Sequence, residues 1–200
     1  MNLYIYKGVG NNEDKGKELI NIALKNYTGD NNVRLSIKRT ESGKPYFSNL
    51  NINFSVSHSN DVWACLMADF NVGLDIQEER TVAYEKISKR FFVKDEYEYI
   101  REKGKEAFFD IWTGKEAFVK YTGNGFAKEG FDTFKVICNG EIAKEIIWND
   151  EQVKLYKLNM NIKMREALEF RNFYGAVCSA KEEKIYYKYI ALSGEVLDYD

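Results

Sequence analysis

Residues 52–77 read "INFSVSHSNDVWACLMADFNVGLDIQ". Three short apolar runs, 52–59, 62–70 and 71–77, are separated by Ser59-Asn60-Asp61 and by Asp69 to Asn71. Apolar runs bounded by turn formers predict three strands of an antiparallel meander. Upstream, "LYIYK" at 3–7 alternates and is β-branched or aromatic, which predicts another strand. Leu19, Ile20, Ala23 and Leu24 then recur at helical spacing.

After Gln77 the character of the chain changes. "TVAYEKISKRFFVKDEYEYIREKG", 81–104, predicts two helices broken near Val93-Lys94-Asp95. "KEAFFDIWTGKEAFVKYTG", 105–123, predicts a longer helix ended by Gly123 and Gly125. Gly114 inside it costs about 1 kcal/mol relative to Ala. Strands return at 131–137, 144–148, 152–158, 171–180 and 184–190. Strands and helices are segregated, so the expected class is α+β rather than a doubly wound parallel sheet. The strand–helix–strands theme occurs twice, loosely, and no Pro-, Gly- or Ser-rich linker divides the chain.

Two hundred residues, 44% hydrophobic and 30% charged, suit one soluble domain or two small subdomains sharing a core. A net charge of −2 argues against general nucleic-acid binding. Cys65, Cys138 and Cys178 are far apart in apolar runs, with no metal-ligand spacing, and are expected to be buried free thiols in a reducing compartment. "MNLYIYKGVG" has neither the charged lead nor the apolar length of a signal peptide or membrane span, so a cytoplasmic protein is expected.

Taken singly, the polar residues of these segments are ambiguous. Asp75 and Gln77 share one face of a strand. An Asp between Leu74 and Ile76 either is paired or metal-bound when buried, or caps a strand end in solvent. Glu116 and Lys120 share a helix face, as do many solvated pairs worth a few tenths of a kcal/mol. His58, the only histidine, follows Ser57 at the end of an apolar run. Gly43-Lys44-Pro45, which holds the only proline, is a turn by its chemistry.

In order, "GKP", "FSVSHS", "VGLDIQ", "RFFVKDEY" and "WTGKEAFVK" resemble the signature of the Sfp-type 4′-phosphopantetheinyl transferases across residues 43–125. The resemblance implies two similar α+β subdomains related by a pseudo-twofold axis, 1–72 and 73–200, with the active site between them. It implies transfer of the 4′-phosphopantetheine arm of coenzyme A to a serine of an apo acyl or peptidyl carrier protein, releasing 3′,5′-ADP. Asp75 and Glu116 would hold Mg²⁺, or Mn²⁺ in its place, to neutralise charge developing on the pyrophosphate. Lys120 would stabilise or protonate the leaving group, and Glu116 would serve as base for the carrier serine. The first half would supply Lys44, Pro45, Ser57 and His58 to coenzyme A.

Two departures stand out. Gln77 replaces the family's third acidic residue; its carbonyl can ligate a cation but adds no charge, so weaker metal binding is expected. No basic stretch for the 3′-phosphate is recognisable, leaving Lys15 and Lys17, or merely a solvated helix start. Lys86, Lys89 and Arg90, at i, i+3 and i+4, form either a docking face for an acidic carrier or a solvated one. Phe91 and Phe92 are expected in the core. A monomer is expected, because both halves of the cleft lie in one chain. The rival readings are a Mg²⁺-dependent hydrolase of coenzyme A or a related nucleotide pyrophosphate, and a non-catalytic coenzyme A- or carrier-binding protein.

Overall fold

The computed structural model describes residues 1–8, 12–125, 130–160, 169 and 171–199. β1 (Asn2–Lys7) leads to α1 (Glu13–Thr28), whose Asn12 side chain accepts from Lys15 N at 2.8 Å and whose C-terminus closes on Gly29 in the left-handed region. Leu19, Ile20, Ala23 and Leu24 are its buried face, as the spacing predicts. A small hairpin, β2 (Ile37–Arg39) with β3 (Pro45–Phe47), precedes β4 (Asn53–Ser59), β5 (Val62–Ala68) and β6 (Val72–Glu78).

The predicted meander holds only in part. β4 and β5 form an antiparallel hairpin, but β6 leaves it and pairs with β11 (Phe173–Ser179) of a second sheet. The reason lies in the alternating serines of "SVSHS". Ser55, Ser57 and Ser59 accept the backbone N–H groups of Leu74 (2.9 Å), Ile76 (3.2 Å) and Glu78 (2.9 Å). The donors of one β6 edge are thus satisfied by side chains of β4 rather than by a strand. This serine comb seams the two sheets edge to edge.

The helices follow the sequence closely. α2 (Tyr84–Phe91) and α3 (Lys94–Lys103) break at extended Phe92 and Val93, and α4 (Lys105–Thr122) stops at left-handed Gly123. Gly73 lets β6 lie against α4: a Cβ there would sit 2.1 Å from Ala117 O and 2.4 Å from Tyr121 N.

The remaining strands are β7 (Ile137–Cys138), β8 (Glu141–Ile142), β9 (Glu145–Trp148), β10 (Glu151–Lys157), β12 (Tyr186–Ile190) and β13 (Val196–Tyr199). The predicted strand at 131–137 is instead turns and bends except for Ile137. Its backbone is bonded to side chains: Lys115 Nζ donates to Phe131 O and Phe134 O, both at 2.7 Å, and Glu96 Oε1 accepts Val136 N at 2.8 Å. No neighbouring strand is then needed to satisfy these groups.

Sheet order is β13-β12-β1-β5-β4 in one sheet and β6-β11-β10-β9 in the other. β1-β5-β4 and β6-β11-β10 share one topology, a strand that precedes a helix and is then joined by a later antiparallel hairpin. β12 returns parallel to β1, so residues 186–199 complete the first sheet. Strand alternation builds three cores. Leu3, Ile5 and Leu66 pack with Leu74, Ile76 and Val177 of the second sheet, whereas Tyr4, Tyr6 and Met67 pack with α1. α4 covers the other face of the second sheet.

Candidate functional site

Asp75 on β6 is 6% exposed, and burial pushes its carboxyl above the ordinary range while Lys120 opposes the shift. Its Oδ1 accepts Lys120 Nζ at 2.7 Å and Ser57 Oγ at 2.8 Å; Lys120 Nζ also reaches Ser57 Oγ at 3.0 Å. Lys120 of α4 therefore pairs with Asp75 of β6. Of the two readings left open for Asp75, burial and pairing describe it, not a solvated strand end.

Trp112, Glu116 and Lys120 are the partly exposed positions at i, i+4 and i+8 of α4. Burial, with Asp75 adding to it, raises the Glu116 carboxyl to about 7, and Lys120 offsets part of the rise. Two carboxylates thus repel each other in a poorly hydrated place served by one ammonium, an arrangement that a cation would relieve. Gln77 Nε2 donates to Ser59 Oγ at 2.9 Å and to Glu78 O at 3.2 Å, which leaves Oε1 as its ligating atom. Among the described residues no group of three or more His, Cys, Asp or Glu side chains could hold a metal. Asp75, Glu116 and Gln77 carry hard oxygen donors, the kind that suit Mg²⁺.

Two clefts share Pro45 and Val56, and Lys120 lines one of them. The smaller, about 230 Å³, is lined by Gly43, Lys44, Ser55, Lys120 and Gly123 among others. The larger, about 710 Å³, is lined on its basic side by Lys17, Lys38, Arg39 and His58, with Glu13 as its acid. Ser57 and His58 adjoin in sequence but take opposite faces of β4. Ser57 enters the Asp75 cluster and exposed His58 lines the larger cleft.

Lys17 lines the larger cleft and pairs with Glu13 at 2.9 Å, whereas Lys15 pairs with Glu18 at 3.0 Å and lies over the Tyr6 ring. Lys44 turns its ammonium inward, to Asn71, Val72 and Tyr121. Lys86, Lys89 and Arg90 are exposed on α2. Phe92 is core as expected, but Phe91 is 43% exposed and stacks under Arg90. The helical period of α2 turns that side chain outward. Cys65 and Cys178 are buried free thiols; Cys138, expected to be buried, is exposed because it sits in the two-residue strand of the β7–β8 hairpin. No described helix is long and apolar enough to cross a membrane.

Sequence reasoning missed Lys38 and Arg39, since three residues of strand give no pattern to read. It also passed over Ser55 and Ser59, although the alternation around Ser57 was visible.

The family model of the 4′-phosphopantetheinyl transferase superfamily matches residues 71–178, more than half of the chain. Among curated proteins the chain is 33% identical over 98 residues to 4′-phosphopantetheinyl transferase gsp of Aneurinibacillus migulanus, covering 47% of this chain and 40% of that one. It is 32% identical over 123 residues to HetI of a Nostoc species (56% and 52%) and 31% identical over 133 residues to Sfp of Bacillus subtilis (62% and 58%). The chain thus spans about half the length of these relatives. The matched segment contains Asp75, Glu116 and Lys120, and on that match the chain belongs to the 4′-phosphopantetheinyl transferase superfamily.

Proposed function

We propose that this chain transfers the 4′-phosphopantetheine arm of coenzyme A to a serine hydroxyl of an apo acyl or peptidyl carrier protein. The observation that carries the reading is the cluster of Asp75, Ser57 and Lys120, with Glu116 one helical turn from Lys120 and under the charge of Asp75; Lys120 also lines the smaller cleft. Asp75, Glu116 and the Gln77 carbonyl would hold Mg²⁺, which neutralises charge on the pyrophosphate. Glu116 takes the proton of the carrier serine. The serine oxygen forms a bond to the phosphorus bearing the pantetheine arm, and that phosphorus loses its bridging oxygen to 3′,5′-ADP. Lys120, already oriented by Asp75 and Ser57, places its ammonium beside the oxygen on which charge develops. Lys17, Lys38, Arg39 and His58 form the basic side of the cleft that the nucleotide phosphates would occupy.

The shared topology of β1-β5-β4 and β6-β11-β10 supports a pseudo-twofold relation with its seam near residue 72. Both walls come from one chain, which supports a monomer. Unpaired thiols support a cytoplasmic setting. Lys86, Lys89 and Arg90 are the proposed docking face for an acidic carrier.

The test is product analysis with coenzyme A, Mg²⁺ and several apo carriers. Release of 3′,5′-ADP only when a carrier is present supports the transferase. Release of 3′,5′-ADP and free phosphopantetheine without a carrier would instead identify a hydrolase.

A further inference from the structure

Lys44 lines the smaller cleft, and its part-buried ammonium has only carbonyl partners among the described residues. Its Nζ donates to Asn71 Oδ1 at 2.8 Å, Tyr121 O at 2.8 Å and Val72 O at 3.3 Å. Among the described residues it makes no ion pair, and burial lowers its pKa to about 8. Tyr121 O lies in the last turn of α4, where carbonyls lack helical partners and the helix dipole is negative. The same oxygen accepts Asn71 Nδ2 at 2.9 Å. An ammonium there caps the helix from outside.

The turn that carries Lys44 is itself held. Gly43 N donates to Thr40 O at 2.9 Å, Thr40 N to Lys44 O at 2.9 Å, and Lys44 N to Thr40 Oγ1 at 3.1 Å. Ser42 Oγ donates to Gly123 O, a second tie from this turn to the helix end. The Lys44 stem crosses Gly123, where a Cβ would sit 2.8 Å from Lys44 Cδ. Gly123, at φ +70°, provides both the helix stop and the room for the stem.

Three segments therefore meet at one side chain: the 40–45 turn, the β5–β6 joint at Asn71-Val72, and the end of α4. Pro45 of that turn lines both clefts, and α4 bears Glu116 and Lys120. We propose that Lys44 is a positioning residue, a strut that fixes the Pro45 wall against the helix carrying Glu116 and Lys120, and that its ammonium does not touch the bound ligand. For its effect on catalysis the proposal rests on the transferase reading; for the strut itself it does not.

Hydrogen exchange of the ligand-free protein tests the strut directly. In Lys44→Met, amides at 119–123 and 72–74 are expected to exchange about tenfold or more faster, with α1 and β11 unchanged. Unchanged exchange at 119–123 overturns the proposal, whatever the protein catalyses. If Lys44→Met does not fold, Gly123→Ala crowds the stem instead. Faster exchange at 72–74, a segment remote in sequence from the substitution, supports the strut, and intact protection there overturns it.

Kinetics then separate positioning from ligand contact. Lys44→Met is expected to lower kcat by about tenfold or more while KM for coenzyme A stays within about threefold. A large rise in KM with kcat retained would make Lys44 a ligand contact. Unchanged kcat and KM with a lower Tm would make it merely structural. Either result overturns the positioning role. A wild-type protein that transfers nothing would refute the transferase reading, and the exchange result would still decide the strut.

Discussion

Glu116 sits where burial and the charge of Asp75 both favour its neutral form, yet the proposed chemistry needs it ionised. With a pKa of about 7 in the metal-free protein, its carboxylate is lost as pH falls through neutrality and a proton then competes with Mg²⁺ for it, so kcat/KM at sub-saturating Mg²⁺ is expected to rise with pH up to about 7 and then level. Glu116→Gln should cost about 10²–10⁴-fold and abolish that limb of the pH profile. A limb that survives in Glu116→Gln would assign the ionisation to another group. Asp75 and Glu116 were legible in the sequence only through the order of motifs around them; parity and i,i+4 spacing alone left each open to a solvated reading. The inward turn of Lys44 was not legible. Its acceptors, at Asn71, Val72 and Tyr121, are 27, 28 and 77 positions away, beyond any local pattern.

At the level of elements, the geometry of α4 depends on two features distant from its exposed stripe. One is Gly73, which admits the helix backbone against β6. Gly73→Ala is expected to cost about 3 kcal/mol in chemical denaturation, since the clash is with backbone and neither element can yield alone. The other is the fully buried ion pair of Lys115 with Glu96 at 2.8 Å. Glu96 Oε2 gains that ion pair without a well-directed hydrogen bond. Burial drives the Glu96 carboxyl up and the Lys115 ammonium down, so desolvation dominates both partners. Lys115→Met alone is expected to cost about 3–5 kcal/mol because it strands the carboxylate, whereas Lys115→Met with Glu96→Leu should recover only part of the loss, because the bonds that these two side chains make to Phe131 O, Phe134 O and Val136 N are lost as well. A double variant no more stable than the single one would contradict this account. The element order was readable from patterning, and α4 ends where its glycine predicts. The meander and the strand at 131–137 were misread for one physical cause: side chains of Ser55, Ser57, Ser59, Lys115 and Glu96 satisfy backbone groups that sequence patterns assign to neighbouring strands.

For the whole molecule, two sheets with helices on their outer faces meet at the serine comb, and the clefts open along that seam. The seam brings residues 43–58 of one half to residues 75–120 of the other, so the site is a product of topology rather than of any one segment. α2 lies beside the Gln77 end of this seam, and its three basic residues face solvent. Replacing Lys86, Lys89 and Arg90 together by Ala is expected to raise KM for an acidic carrier about tenfold at low salt, with KM for coenzyme A unchanged. An unchanged carrier KM would remove α2 as the docking face. The central claim is most directly tested by the intact mass of an apo carrier after incubation with this protein, coenzyme A and Mg²⁺. A gain of one phosphopantetheine, about 340 Da, that is lost with Asp75→Ala and with Glu116→Ala is the predicted result. A gain that persists in both variants would contradict the assigned site, and coenzyme A cleaved with no carrier gaining mass would contradict the transferase.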